Sequence, residues 1–280
     1  MADAFFHSFK SNWLGEGGDN GHGKRGGLTR ISQIGKPIIV QACRLPHIQR
    51  ELRAHLPPTP DLGTSKDAIT YRRFHLGHVV EAEVVLTLQA HGFRITDTQT
   101  EVTMDAEHNV LGHCDGVLHW GGKRYVFDVK TMSDYSFSQY TKRCGPHDNG
   151  GYISQLACYH NLLGTDGAFI LAYNKNTHVF RVLMLDERRL QSRWERAQGV
   201  IKTLAGVRSI ADLDGLPRPP AVPELYKRQE TGLLVPHDSI KYEPERYLCY
   251  EIFTRKKWGK DKEYVRRVRT SPLEILGELG

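Results

Sequence analysis

Gly121-Gly122 stands between two runs that each read as a strand, VLGHCDGVLHW before it and KRYVFDVKT after it. Glycine accepts the positive φ of a two-residue hairpin turn, so the dipeptide predicts an antiparallel pair and sets its register. Trp120 then faces Lys123, His119 faces Arg124, Leu118 faces Tyr125, Val117 faces Val126, and Asp115 comes opposite Asp128. Alternation puts Asp128 and Lys130 on one face and Tyr125, Phe127 and Val129 on the other. Two carboxylates directly across a strand pair lie roughly 5 Å apart at Cβ and repel each other. A divalent cation between them relieves the repulsion, and hard carboxylate oxygens suit Mg2+ or Mn2+. A register slipped by one residue, or solvation of each acid at a sheet edge, reads the same hairpin without a metal.

Around this hairpin the chain mixes helix and strand signals, which predicts an α/β or α+β core. GEGGDNGHGKRGG (15–27) is a glycine-rich loop that lacks the GK[ST] ending of a phosphate-binding P-loop. A helix is expected over about 32–56, interrupted near Pro37, and PPTPDLG (57–63) breaks it off. A long amphipathic helix follows over about 65–91, with His78, Glu81 and Val85 sharing one side. Strand signals cover 93–104, 110–120 and 123–131, and CGPHDNGG (144–151) leads into the short helix YISQLACYHNLL. AFILAY and HVFRVLML flank NKNT as a hairpin, and a charged helix runs from Asp186 to about Ala205. After the proline-rich connector LPRPPAVP (216–223), a last hairpin is expected from Lys241, turning near Trp258-Gly259. This divides the chain into an N-terminal loop and helical segment (1–64), a core (65–210), and a connector with a C-terminal hairpin (211–280).

Composition limits the function classes. At 280 residues, 39% hydrophobic and 25% charged, the chain has the make-up of a water-soluble globular protein. No apolar run is long enough for a membrane helix, and MADAFFHSFKSNWLGEGG has no basic stretch followed by an apolar core, so neither an anchor nor a secretory signal is expected. Five scattered cysteines without a CxxC argue for a reducing cytoplasm and against a disulfide framework or zinc ribbon. The net charge is +6, and FTRKKWGKDKEYVRRVR (253–269), with eight Lys/Arg against two acids, carries an excess equal to that of the whole chain. Such a basic strip interleaved with aromatics suits a polyanion, and a solvated charged hairpin reads it equally well. Candidate nucleic-acid contacts here are Arg255, Lys256, Lys257, Trp258 and Lys260, with Arg72 and Arg73 on the long helix beside a plain solvated reading.

Other residues bear on the acids of the hairpin. Glu81 is a surface residue at the edge of its stripe or a paired acid inside. Gln155 and Tyr159, four apart on a short helix, point the same way. His75 and His78 lack a third soft ligand for zinc, and no G-x-S-x-G elbow marks a nucleophilic serine.

In order along the chain, Gly77-His78-Val79-Val80-Glu81 fits GxxxE on a helix, and Gly112-His113-Cys114-Asp115 fits GxxD on a strand. Asp128-Val129-Lys130 fits (D/E)xK on the next strand, and Gln155 to Tyr159 fits QxxxY on a following helix. Together these motifs resemble the PD-(D/E)XK nuclease superfamily, in its RecB-like and phage (lambda-type) exonuclease branch, over roughly 65–205. The resemblance implies a restriction-endonuclease-like core, a central mixed sheet flanked by helices, with the C-terminal hairpin as an extension. It implies a metal-dependent deoxyribonuclease that trims duplex ends in phage-type recombination, replication or repair. Asp115 and Asp128, with the Val129 carbonyl, would hold Mg2+ or Mn2+, and Glu81 would bind through water or hold a second ion. Lys130 would orient the attacking water, and Gln155 and Tyr159 would position Lys130, the nucleophile or the strand. DNA, linear duplex or single strand, is the implied partner, beside a single-strand annealing or binding protein and further copies of the chain. Some relatives carry an iron–sulfur cluster on one early and three late cysteines; with only Cys249 late in this chain, none is expected. A structure-specific or restriction-like endonuclease and a non-cleaving DNA-binding protein on the same fold are the alternatives.

Overall fold

The computed structural model describes residues 28–55, 68–143, 151–218, 222–226, 229–235, 250–257 and 260–269. The loops read at 15–27 and 57–63, Cys249, and the Trp258-Gly259 turn lie outside them. The expected N-terminal helix is three pieces: a 3-10 turn at Ile31–Gln33, α1 (Ile38–Ala42) and α2 (Pro46–His55). Two prolines account for the difference. Pro37 stands just before α1 and Pro46 opens α2, places where a missing N–H does no harm. Helix α3 (Ala68–Ala90) follows, then β1 (Arg94–Thr96), β2 (Thr100–Asp105), β3 (Val110–Cys114), β4 (Gly116–Trp120) and β5 (Lys123–Met132).

Helices α4 (Asp134–Arg143) and α5 (Tyr152–Leu163) cross over to β6 (Gly167–Asn174), which runs parallel to β5. Strand β7 (Phe180–Met184) returns antiparallel and leads into α6 (Glu187–Gly206). Asp186 caps α6, its side chain accepting a hydrogen bond from Arg189 N. The central sheet has five strands in the order β1-β4-β5-β6-β7, a mixed sheet flanked by helices, as the α/β reading expects. The C-terminal strands belong to a second, antiparallel sheet. In it β8 (Val222–Tyr226), β9 (Gln229–Val235), β10 (Tyr250–Lys257) and β11 (Lys260–Val268) take the order β10-β11-β9-β8, so the expected hairpin of β10 and β11 is one half of a larger unit.

The hairpin register follows the glycine turn. Trp120↔Lys123, His119↔Arg124, Leu118↔Tyr125 and Val117↔Val126 all pair, and Gly116↔Phe127 closes the ladder. There the expectation fails. The run 110–120 is two strands, and Asp115 occupies a bend between them instead of a ladder position opposite Asp128. Strand β3 turns away to pair with β2, Thr100 facing Cys114. Close packing at Gly116 accompanies the break, since a Cβ there would meet the Phe127 ring at 2.9 Å.

Opposite faces of the sheet carry different cores. Phe127, Val129, Phe169 and Leu171 meet Val80 and Val84 of α3, with Phe127 and Phe169 stacked at 5.5 Å. On the other face Val126, Ala168 and Ile170 join α1, α5 and α6 in the main cluster. Helix α3 is less one-sided than expected: Leu76, Val79 and Leu86 are 41%, 44% and 54% exposed, while Val80 and Val84, flanked by Val85 and Leu88, pack on the sheet. No helix among the described residues is long and apolar enough to cross a membrane.

Candidate active site

Three acids and a lysine converge where β4 and β3 part. Strand β5 places Asp128 and Lys130 on the face away from α3, two residues apart. Asp128 is 1% exposed, and its Oδ1 accepts a hydrogen bond from Lys130 Nζ at 2.6 Å. Its Oδ2 lies 2.5 Å from the same nitrogen without the geometry of a hydrogen bond, and has no hydrogen-bond partner among the described residues. From the bend, Asp115 reaches across to β5, where its Oδ2 accepts from Val129 N at 2.7 Å. The side-chain hydrogen bond replaces the backbone pairing that the ladder would have supplied.

Electrostatics ties these groups together. Burial raises the Asp115 carboxyl well above the usual carboxylate range, and the neighbouring charges of Asp128 and Glu81 raise it further. Burial also raises Asp128, with Lys130 pulling the other way and Glu81 adding to the rise. Burial would lower Lys130, but the carboxylates of Asp128 and Asp115 outweigh it and hold the ammonium above its ordinary pKa. Lys130 is therefore a cation at neutral pH. Its Nζ lies 5.1 Å from the centre of the Tyr152 ring, a cation–π contact.

Glu81 comes to this group from α3. Its carboxylate accepts a hydrogen bond from Gln99 Nε2 and lies 3.8 Å from His78 Nδ1. Gln99 belongs to the turn between β1 and β2, where both Asp97 (φ 55°) and Gln99 (φ 52°) take the left-handed conformation. Such backbone is uncommon for a residue other than glycine, and here it carries the side chain that meets Glu81.

Helix α5 holds the other flank. Gln155 Nε2 donates to Tyr159 Oη at 3.3 Å, and Tyr159 Oη donates to the His113 carbonyl at 2.8 Å. The pair therefore fastens the end of β3, two residues before Asp115. Gly112 lets the phenol in: a Cβ there would stand 2.6 Å from Tyr159 Oη and 2.9 Å from Ile31 Cβ. At Gly77 nothing among the described residues lies within 4 Å of an added Cβ, so no close approach among them explains that glycine.

The structure thus brings Glu81, Asp115, Asp128, Val129 and Lys130 together, with Gln155 and Tyr159 behind them. Sequence reading missed Gln99 and Tyr152. Tyr152 was within reach, lying three residues before Gln155 and so on the same side of α5. Gln99 had no signal, since its position depends on a left-handed turn without glycine. Arg72 and Arg73 fall within α3 and Arg255, Lys256, Lys257 and Lys260 within β10 and β11, but their side chains lie outside the described residues, as does all of Trp258.

A half-buried and a buried carboxylate, Asp115 and Asp128, each raised by burial and by the other acids around it, fit a hard divalent cation that keeps several waters, the habit of Mg2+. No three His, Cys, Asp or Glu side chains among the described residues form a ready-made metal cluster, consistent with Glu81 being engaged by Gln99.

No protein-family model matches the sequence, and no curated protein matches it. Solved structures resemble it in shape. An alkaline exonuclease (LHK-Exo) from Laribacter hongkongensis is 12% identical, with 64% of this chain and 88% of that chain covered at a TM-score of 0.42. The same enzyme in complex with dAMP gives 12% identity, 63% and 91% coverage, and a TM-score of 0.39. The protein SSO0001 gives 14% identity, 71% and 87% coverage, and a TM-score of 0.40. Likenesses of this extent leave the chemistry to the chain's own residues.

Proposed function

We propose that the protein is a metal-dependent deoxyribonuclease that hydrolyses phosphodiester bonds from the ends of DNA. The observation carrying this is the pair of half-buried Asp115 and buried Asp128, set on adjoining elements with Lys130 held against Asp128. Asp115 and Asp128, with the Val129 carbonyl, would hold Mg2+ or Mn2+. A divalent cation there supplies Lewis acidity toward a phosphoryl oxygen and lowers the pKa of a water it binds.

The chain's own groups do the rest. Lys130, kept protonated by the two acids, donates hydrogen bonds and positive charge to the phosphoryl oxygens as negative charge builds on them. As a cation at neutral pH it does not serve as the general base. Glu81 adds an acceptor at the edge of the site for water. Gln155 and Tyr159 keep Asp115 in place by clamping the His113 carbonyl.

End-directed action is the finer part of the reading, and it rests on the resemblance of the four motifs to the phage exonuclease branch. Cytoplasmic work in recombination or repair, beside a strand-annealing protein, goes with it. The test is incubation with linear duplex and covalently closed circular DNA of equal sequence, in Mg2+ or EDTA, beside Lys130→Ala. Loss of the linear DNA alone, abolished by EDTA and by the substitution, is the expected result. Cutting of the circle would make the enzyme an endonuclease, and retained binding without cleavage of either would overturn catalysis.

A further inference from the structure

Leading away from Lys130, two tyrosine rings and a small apolar hollow connect to a depression lined by arginines. The Tyr152 ring beneath Lys130 meets Tyr140 of α4 edge-on, centroids 6.1 Å apart. Tyr140, Ile153, Leu183, Met184 and Leu185 line a small hollow together with Asp186 and Arg189. Asp186 and Arg189 also border a wider depression of about 490 Å3, completed by Arg188, Ser192, Arg193 and Arg196 of α6.

Four guanidinium groups thus line one depression against a single carboxylate, and that one caps the helix. The nearby acids are turned to other partners: Glu187 lies 3.4 Å from His160, and Glu195 accepts from Gln191. Arg188 and Arg196 form no ion pair among the described residues. Their separation of eight residues spans about 12 Å of helix, room for more than one phosphate. Arginine is the side chain best shaped for phosphate oxygens, and a tyrosine ring offers a base something to stack on.

We propose that this face of α6, with Tyr140 at its entrance, carries the phosphate backbone of a single DNA strand that runs to or from Lys130. The occupant is a single strand because two tyrosine rings, Tyr152 and Tyr140, stand on the approach, and only unstacked bases present their faces to such rings. The inference rests on the nuclease reading for where the strand leads, while the arginine face as a binding surface is tested separately.

The experiment uses the full chain in EDTA, with a fluorescent 20-nucleotide oligothymidylate and a duplex of the same length as probes for anisotropy across a salt series. Arg188→Ala/Arg196→Ala is compared with Lys123→Ala, which removes a positive charge at the distant end of β5. The double variant is expected to bind oligothymidylate on the order of tenfold more weakly, with the slope of log K against log salt reduced by about 1.4. Lys123→Ala should leave both unchanged. Unaltered affinity and slope in the double variant would overturn the proposal. An equal loss toward duplex would overturn its single-strand assignment.

Hydrolysis of bis(p-nitrophenyl) phosphate in Mg2+, a substrate too small to reach α6, separates the two readings. Wild-type turnover that the double variant retains locates the effect in strand binding. Absence of turnover in the wild type would sink the nuclease reading and leave the oligothymidylate result to decide the arginine face.

Discussion

Replacing Lys130 by methionine in metal-free buffer would leave the Asp128 carboxylate, 1% exposed, with a charge and no counter-ion at bonding distance. Removing one member of a buried ion pair costs about 3–5 kcal/mol, and because the lysine end is 22% exposed the lower figure applies, about 3 kcal/mol. For a protein of this order of size, that corresponds to a fall of about 6–12 °C in the unfolding midpoint. Asp128→Asn should cost less, about 1 kcal/mol, since it leaves a neutral amide while Lys130 still reaches solvent and the charge of Asp115. Asp128→Asn/Lys130→Met should fall close to the single asparagine variant.

The pH dependence fixes the cause. Without Lys130 the folded pKa of Asp128 rises still further above its unfolded value of about 3.9. A raised carboxyl pKa contributes stability that is present below the unfolded value and lost as pH rises through the folded one. The deficit of Lys130→Met should therefore be smaller near pH 4 than at pH 8. Urea unfolding followed by tryptophan fluorescence in EDTA at both values measures it. A deficit under about 1 kcal/mol at pH 8, or an equal one at both pH values, would refute the argument from an uncompensated buried charge.

The raised pKa values of Asp115 and Asp128 mean that a cation must displace protons from them, so Mn2+ affinity should weaken as pH falls below neutral. Calorimetry in two buffers of different ionisation heat should show proton release, and pH-independent affinity between pH 5 and 8 would count against these ligands. Gly112→Ala should destabilise by about 1–3 kcal/mol through the clash with Tyr159 and Ile31. Adding Tyr159→Phe should restore part of that loss, and strict additivity in a double-mutant cycle would show that the two do not touch. Burial pushes the Cys114 thiol up to about 11, helped by Asp115, and Cys158 to about 12. Neither should react with a disulfide reagent at pH 8 before unfolding, and rapid native-state labelling of either would contradict the packing. Asp186→Ala should cost about 1 kcal/mol in a thermal melt by uncapping α6, and an unchanged midpoint would count against the cap.

Where a local signal decided the outcome, the sequence was legible. Gly121-Gly122 set four ladder pairs correctly because the turn type allows one register. The helix from Tyr152 to Leu163 and the charged helix after Asp186 stand close to where their patterns put them. The bend at Asp115 was not legible, since it arises from competition between β2 and β5 for the same run, and each partner is distant in sequence. For the same reason the partner of Tyr159 stayed open between Lys130, the nucleophile and the strand, and its hydroxyl reaches the His113 carbonyl. Helical spacing gave the direction of the side chain, and only the departure of β3 from the sheet decides what it meets. Glu81 stayed ambiguous because its partner Gln99 is presented by left-handed backbone that no glycine announces.

The hydrogen bond from Val129 N to Asp115 has a spectroscopic consequence. Most amides of a central strand are bound to a neighbouring backbone and report only on the sheet, but this one reports on a carboxylate. In a nitrogen–proton correlation spectrum the Val129 resonance should lie downfield, as a donor to a charged acceptor does. Any event that draws Asp115 Oδ2 elsewhere, whether Mn2+, a proton or Asp115→Asn, should move that peak and quicken its exchange with solvent. Its neighbour Phe127, paired with Gly116 on one side and Phe169 on the other, should stay still. A single backbone proton thus serves as the natural probe of whether Asp115 is engaged or free.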